Sequence, residues 1–177
     1  ASLNFTKELE EKLIGKDIDV EKITLHCGFG TFKPIIVSDL EKHKMHSEYY
    51  EISDNVIEKV KKGISEKKRI CAVGTTVTRS LEQYFLNNKL KGEADIFLYP
   101  GAKFNIVNTL LTNFHAPRST PLILLNAFVT YKLSINRNIS IDDTLIEESK
   151  GIVKEIYKYS LDNGFKFLSY GDSCLIL

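Results

Sequence analysis

Ile106-Val107-Asn108-Thr109-Leu110-Leu111 runs into Thr112-Asn113-Phe114-His115-Ala116-Pro117-Arg118-Ser119-Thr120, and the chain leaves through a second apolar run, Leu122 to Phe128. The first run has the composition of a buried strand. Ser119 ahead of the second run reads as a helix N-cap, with Pro121 tolerated in the first turn. The unit is therefore strand, polar loop, helix. Its loop carries an amide, an imidazole, a guanidinium and two hydroxyls, where a plain turn would more cheaply use Gly, Asp and Ser. Loops between a strand end and a helix start are where α/β proteins keep their chemistry. The amides at the helix start favour an anion, and Arg118 adds positive charge. Asn113 and Ser119 would also serve as turn and cap, and His115 as a satisfied core histidine. The clustering of all of them marks the loop as a candidate site.

The same pattern recurs to either side. Ile70-Cys71-Ala72-Val73 lacks the alternation of a half-exposed strand, as a buried parallel strand would. It ends at Gly74-Thr75-Thr76, and a helix with Arg79, Leu81 and Phe85 follows. That arrangement makes an anion cradle, with Arg79 one turn in, although Thr75 or Thr76 would equally cap the helix. Ile23 to Cys27 reads as a strand entering Gly28-Phe29-Gly30-Thr31-Phe32, whose glycines permit close approach of backbone to a ligand or simply a tight turn. Asp95 to Leu98 reads as a strand ending in Tyr99-Pro100-Gly101-Ala102-Lys103-Phe104, an aromatic and a cation around a Pro-Gly turn. Ser47 to Ile52 and Phe165 to Tyr170 read as further strands, and Gly171-Asp172 precedes an apolar tail, Cys174 to Leu177. Helices are predicted over 7–16, 54–62 and 141–163, with Gly164 as a stop and Ser38-Asp39-Leu40-Glu41 as a capping box.

Alternating strands and helices predict an α/β fold over residues 1–177, one domain with a largely parallel or mixed sheet flanked by helices. The ligand crevice of such a sheet lies outside the carboxyl ends of its strands. Nothing in the chain spells a phosphate-loop motif, a Ser/His/Asp or Cys/His arrangement or a strong zinc pattern. His43 and His46, three apart, with Glu48 would be the metal-binding alternative, as in a metal-dependent hydrolase. Composition is that of a globular protein, 43% apolar and 27% charged over 177 residues. The net charge of +1 gives no whole-chain signal for nucleic acid. Three cysteines, Cys27, Cys71 and Cys174, lie in or beside apolar runs without a C-x-x-C pair, which predicts buried, reduced thiols and a cytoplasmic location. No apolar run approaches the length of a membrane span. The opening on Ala1 reads as a fragment or a processed product.

Six motifs in register carry a resemblance. Thr24-Leu25-His26-Cys27-Gly28-Phe29-Gly30-Thr31-Phe32, His43-Lys44-Met45-His46-Ser47-Glu48, Gly74-Thr75-Thr76-Val77-Thr78-Arg79, Ile96-Phe97-Leu98-Tyr99-Pro100-Gly101, Leu111-Thr112-Asn113-Phe114-His115 and Ser169-Tyr170-Gly171-Asp172 follow one another nearly end to end. Together they resemble the S-adenosylmethionine:tRNA ribosyltransferase-isomerase family of queuosine biosynthesis, over its C-terminal half. The resemblance implies an incomplete larger α/β domain without the family's inserted β-barrel-like subdomain. It implies transfer and isomerisation of the ribosyl part of S-adenosylmethionine onto 7-aminomethyl-7-deazaguanine at the tRNA wobble position. S-adenosylmethionine is then a co-substrate, no metal is implied, and the partners are tRNA and, for an incomplete domain, the missing half or a second copy. His26, His46, Glu48 and His115 become candidate acids or bases. Gly28, Gly30, Thr75, Thr76, Arg79, Asn113, Ser119, Thr120 and Asp172 become candidate substrate-binding residues. Arg118 and Lys103 would meet RNA phosphates, and Tyr99 or Phe114 would stack on a base. Departures from the family's usual residues fall at Asn4, Asn108, Ala116 and Pro121. A catalytically silent RNA- or nucleotide-binding module is the competing expectation.

Overall fold

The predicted strand-loop-helix unit forms as β5 (Thr109–Asn113) followed by α4 (Thr120–Arg137). Ser119 accepts a hydrogen bond from the Leu122 amide, with Pro121 in the first turn, and the helix ends at Asn138 in the left-handed conformation. The structure is a computed structural model and describes residues 3–26, 28 and 40–177. Its other elements in chain order are α1 (Lys7–Ile14), β1 (Thr24–His26), β2 (Glu48–Glu51), α2 (Asp54–Ser65), β3 (Cys71–Val73), α3 (Thr75–Asn87), β4 (Lys91–Ala94), α5 (Asp143–Asp162) and β6 (Ser173–Ile176). A single 3-10 turn, Leu40–Lys42, lies ahead of β2.

The strands make two sheets rather than one. In the first, β1, β2 and β4 pair antiparallel, with Leu25 opposite Tyr50 and Tyr50 opposite Gly92. In the second, β3 runs parallel to β5, with Ala72 opposite Leu110, and β6 closes the other side antiparallel, with Leu175 opposite Leu111. The α/β class and a mixed sheet are as expected from the sequence. The antiparallel sheet is not, because β4 joins it across β3, which belongs to the other sheet. Helix α3 touches β3, β4 and β5 and so joins the two sheets. The core between them is built on Tyr50, Ile52, Ala72, Val107, Leu110 and Phe128, each fully or almost fully buried. Phe104 meets Phe128 edge-on at 5.0 Å. Helices α4 and α5 approach closely where the buried hydroxyls of Thr130 and Ser149 share a 2.6 Å hydrogen bond. At their far end Arg137 grips Glu148 through two 2.7 Å bonds.

Two predicted strands do not form. Residues 95–98 are irregular, because α3 side chains take up the backbone groups that a ladder would need. Gln83 accepts from the Ile96 amide, and Arg79 donates to the carbonyls of Ala94 and Ile96. The strand lies one step earlier, as β4. Residues 165–170 close on themselves instead. The Lys166 amide donates to the Asp172 carboxylate, the Asp172 amide to the Lys166 carbonyl, and the Leu168 amide to the Phe114 carbonyl. A Cβ on Gly171 would stand 2.3 Å from the Lys166 carbonyl oxygen, so only glycine fits that loop. The last strand is then β6, within the stretch read as an apolar tail. Cys71 is exposed on the edge strand β3 and Cys174 is half-buried, so the expectation of buried thiols fails for Cys71. Cys27 and the Ser38-Asp39 part of the capping box lie outside the described residues. Asn108 accepts from the Ile70 amide and donates to the Lys68 carbonyl.

Candidate active site

Parallel neighbours β3 and β5 each feed a helix from the same end. The N-termini of α3 and α4 therefore stand side by side beyond the carboxyl ends of the two strands. A small cleft of about 10 Å³ opens there, lined by Thr75, Thr76, Arg79 and Thr120 on the polar side. Met45, Ile96, Phe97 and Leu124 are among its apolar walls. Helix α3 begins at Gly74, φ +105°, with no side-chain cap on its first amides. A larger cleft of about 290 Å³ lies at the opposite, amino ends of these strands, beside Lys67, Lys68 and Tyr131, and gathers none of the predicted site residues.

Arg79 lies in the wall of the small cleft and is 5% exposed. Its guanidinium reaches across to the antiparallel sheet. Nη1 donates to the Glu48 carboxylate at 2.6 Å, Nη2 to the carbonyls of Ala94 and His46, and Nε to that of Ile96. Glu48, itself 3% exposed, also accepts from the Gly28 amide at 3.3 Å. A buried pair of this kind fixes geometry more than it adds stability. It fixes the start of β2, Gly28 and the backbone of Ala94 and Ile96 on one group. His46 is exposed next to it, and His26 is exposed with its ring edge-on to Tyr49 at 5.5 Å. His43 packs against Phe97 at 4.8 Å, and burial, with His46 nearby, lowers its pKa. Among the described residues His43, His46 and Glu48 do not assemble a metal-holding group.

At the end of β5, Thr112 and His115 form a hydrogen-bonded pair, Oγ1 to Nε2 at 2.8 Å. The His115 backbone amide donates to the Tyr157 hydroxyl at 2.9 Å. Burial pushes the His115 pKa down to about 4 and that of Tyr157 up to about 12, so near neutral pH both are uncharged. Asn113 is buried and donates to the carbonyls of Gly171 and Asp172, tying the loop before β6 to β5. Phe114 is 2% exposed, stacked on Phe167 at 4.9 Å and edge-on to Tyr157 and Phe165. It has no face left for a base, so its expected stacking role gives way to a core role. Tyr99 stacks on Phe97 at 5.5 Å and is half-buried. Lys103 and Arg118 are exposed, Arg118 with φ +56°. Ser119 is the α4 cap, and its own hydroxyl donates to the Ala116 carbonyl. Gly30 lies outside the described residues.

Sequence reasoning missed Glu82, Gln83 and Tyr157. Glu82 is 1% exposed, and its carboxylate accepts from the backbone amides of Asn105, Ile106 and Val107, which positions the run into β5. The signal was present. Thr75, Thr78, Arg79 and Glu82 fall at i, i+3, i+4 and i+7, a helix face that is buried yet polar.

Residues 1–138 match the family described as Queuosine biosynthesis protein. The chain belongs to that family. Among curated relatives, the S-adenosylmethionine:tRNA ribosyltransferase-isomerase of Sulfurihydrogenibium is 45% identical over the whole of this chain and 47% of its own length. That of Thermodesulfovibrio yellowstonii is 44% identical over 100% of this chain and 48% of its own length. The crystal structure of S-adenosylmethionine tRNA ribosyltransferase from Thermotoga maritima superposes with a TM-score of 0.72 at 31% identity, covering 99% of this chain and 51% of that one. The chain thus spans about half the length of these queuosine relatives.

Proposed function

We propose that this chain carries part of the active site of an S-adenosylmethionine:tRNA ribosyltransferase-isomerase. Such an enzyme moves the ribosyl moiety of S-adenosylmethionine to 7-aminomethyl-7-deazaguanine at the tRNA wobble position, gives epoxyqueuosine and releases adenine and methionine. The family membership supports the chemistry. The observation that carries the local reading is the pair of β–α units with adjacent helix N-termini, next to a buried Arg79–Glu48 pair.

The reaction needs a base for a proton beside the sulfonium, a donor to the departing adenine and an uncharged attacking amine. His115 is uncharged near pH 7 and can offer a lone pair, with a basicity that burial lowers. His46 and His26, both exposed, are left as candidates for proton delivery. Glu48 and Arg79 act as positioning groups for His46 and the Gly28 backbone. Thr75, Thr76 and Thr120 hold an oxyanion of the co-substrate, and Asn113 fixes the loop that carries Asp172. Lys103 and Arg118 meet tRNA phosphates, and Tyr99 offers an aromatic face near them. Among the described residues no helix is long and apolar enough to cross a membrane, and a cytoplasmic location fits a tRNA substrate.

The test is adenine release from S-adenosylmethionine with precursor-bearing tRNA, run on the 177-residue chain alone and on the chain joined to the N-terminal half of a relative. Adenine and methionine from the joined protein support the reading. S-adenosylhomocysteine in their place, the mark of methyl transfer, refutes it. A second reading, a catalytically silent RNA-binding module, draws on the half-length match. Retained tRNA binding with no adenine release from either protein favours it.

A further inference from the structure

We propose that the cleft between the N-termini of α3 and α4 seats the carboxylate of the amino-acid end of S-adenosylmethionine, with the Thr120 hydroxyl as a donor to it. This rests on the reading above for the identity of the ligand and deepens it by assigning one end of that ligand to named residues.

Thr120 is 6% exposed, and its Oγ1 is buried and makes no hydrogen bond. An unpartnered buried hydroxyl costs roughly 1–3 kcal/mol, so its place in a cleft wall calls for a partner. Three other fully buried helical hydroxyls have one. Thr78 donates to the Gly74 carbonyl, Ser80 to that of Thr76 and Thr130 to that of Asn126, each four residues back. At Thr120 the carbonyl four residues back, that of Ala116, accepts instead from Ser119 at 2.7 Å. Helix α3 adds first-turn amides without a side-chain cap, and both helices point the positive ends of their dipoles at the same space.

The chemistry of the walls selects among anions. The cation in the wall, Arg79, is already paired with Glu48, so attraction comes from amides, dipoles and hydroxyls. That suits a monoanion better than a phosphate. A cleft of about 10 Å³ takes one water-sized group, as a carboxylate oxygen is. A purine does not fit that volume. Met45, Ile96, Phe97 and Leu124 face the same cleft and suit an aliphatic chain leading away from the carboxylate. An amino-acid end has such a chain, and an RNA phosphate does not.

The experiment compares S-adenosylmethionine with decarboxylated S-adenosylmethionine, which lacks only the carboxylate, by calorimetry on wild type, Thr120→Val and Thr120→Ser. Wild type should prefer S-adenosylmethionine by about tenfold, the worth of one charge-assisted hydrogen bond. Thr120→Val should cut that preference several-fold by weakening S-adenosylmethionine alone, and Thr120→Ser should keep it in full. Without ligand, Thr120→Val should melt higher than wild type, since it removes an unpaired buried hydroxyl. A wild type with no preference, or with no binding of either compound, overturns the assignment. So does a Thr120→Val chain that retains the preference in full. Adenine release is measured separately, so a protein that turns over S-adenosylmethionine without any Thr120 dependence refutes this cleft and not the reaction.

Discussion

Replacing Arg79 with Met should cost about 3–5 kcal/mol of stability. Met matches the aliphatic stem and removes the guanidinium. Arg79 and Glu48 are 6% and 2% exposed at their side chains and 2.6 Å apart, so solvent screens the pair little. The variant leaves a carboxylate buried beside an apolar group, with the Gly28 amide still donating to it. It also strips donors from the carbonyls of His46, Ala94 and Ile96. At roughly 2–4 °C per kcal/mol for a chain of this size, the midpoint of thermal unfolding should fall by about 10 °C. Urea unfolding followed by circular dichroism measures the loss directly. Adding Glu48→Met to Arg79→Met should recover at least about 1.5 kcal/mol, because the buried charge is gone while the stripped carbonyls remain. Arg79→Lys should fall between, since one ammonium cannot span the fork of acceptors. The reasoning is refuted if Arg79→Met lies within about 1 kcal/mol of wild type, or if the double variant is no more stable than the single one.

Glu82→Gln should cost about 1.5–3 kcal/mol, because its amide nitrogen would face backbone N–H donors; chemical denaturation reads it, and a neutral result would remove Glu82 as an anchor of 105–107. His115 should make stability depend on pH. Its folded pKa, about 4, lies below the ordinary 6.5, so the unfolded chain binds the extra proton first. Stability is then intact above pH 6.5 and falls as pH drops towards 4, by about 3 kcal/mol in all. Unfolding of His115→Gln across that range should lack this slope, and an unchanged slope would assign it to other groups.

The part of the fold legible in the sequence was local. Ser119 ahead of an apolar run, and Gly74 ahead of Thr75-Thr76, announced two helix starts, and both formed where expected. Local pattern cannot say which strands pair, so β2 beside β4 was invisible. Apolar composition over 95–98 and 165–170 suggested strands. There, side chains won the backbone groups, Arg79 and Gln83 from an earlier helix in one case and nearby Asp172 in the other. The candidate site divided in the same way. Thr75, Thr76, Arg79 and Thr120 do meet at one cleft. Phe114 read as a stacking residue because an aromatic in a polar loop is ambiguous until its neighbours are known. Phe167 and Tyr157, which bury it, lie in a later part of the chain.

The pairing order has a kinetic consequence. Strand β4 reaches β2 only after residues 52–90 have been brought back on themselves, and β6 reaches β5 only across residues 114–172. Each closure pays its entropy before any ladder bond repays it. The segment looped out between β2 and β4 contains α2, β3 and α3, and α3 supplies the side chains that seize 94–96. Docking of α3 therefore brings β4 towards its partner. Slow, non-local assembly of this kind leaves the edges of β2 and β5 that await β4 and β6 uncovered for longest, and those are the places where aggregation during refolding would begin.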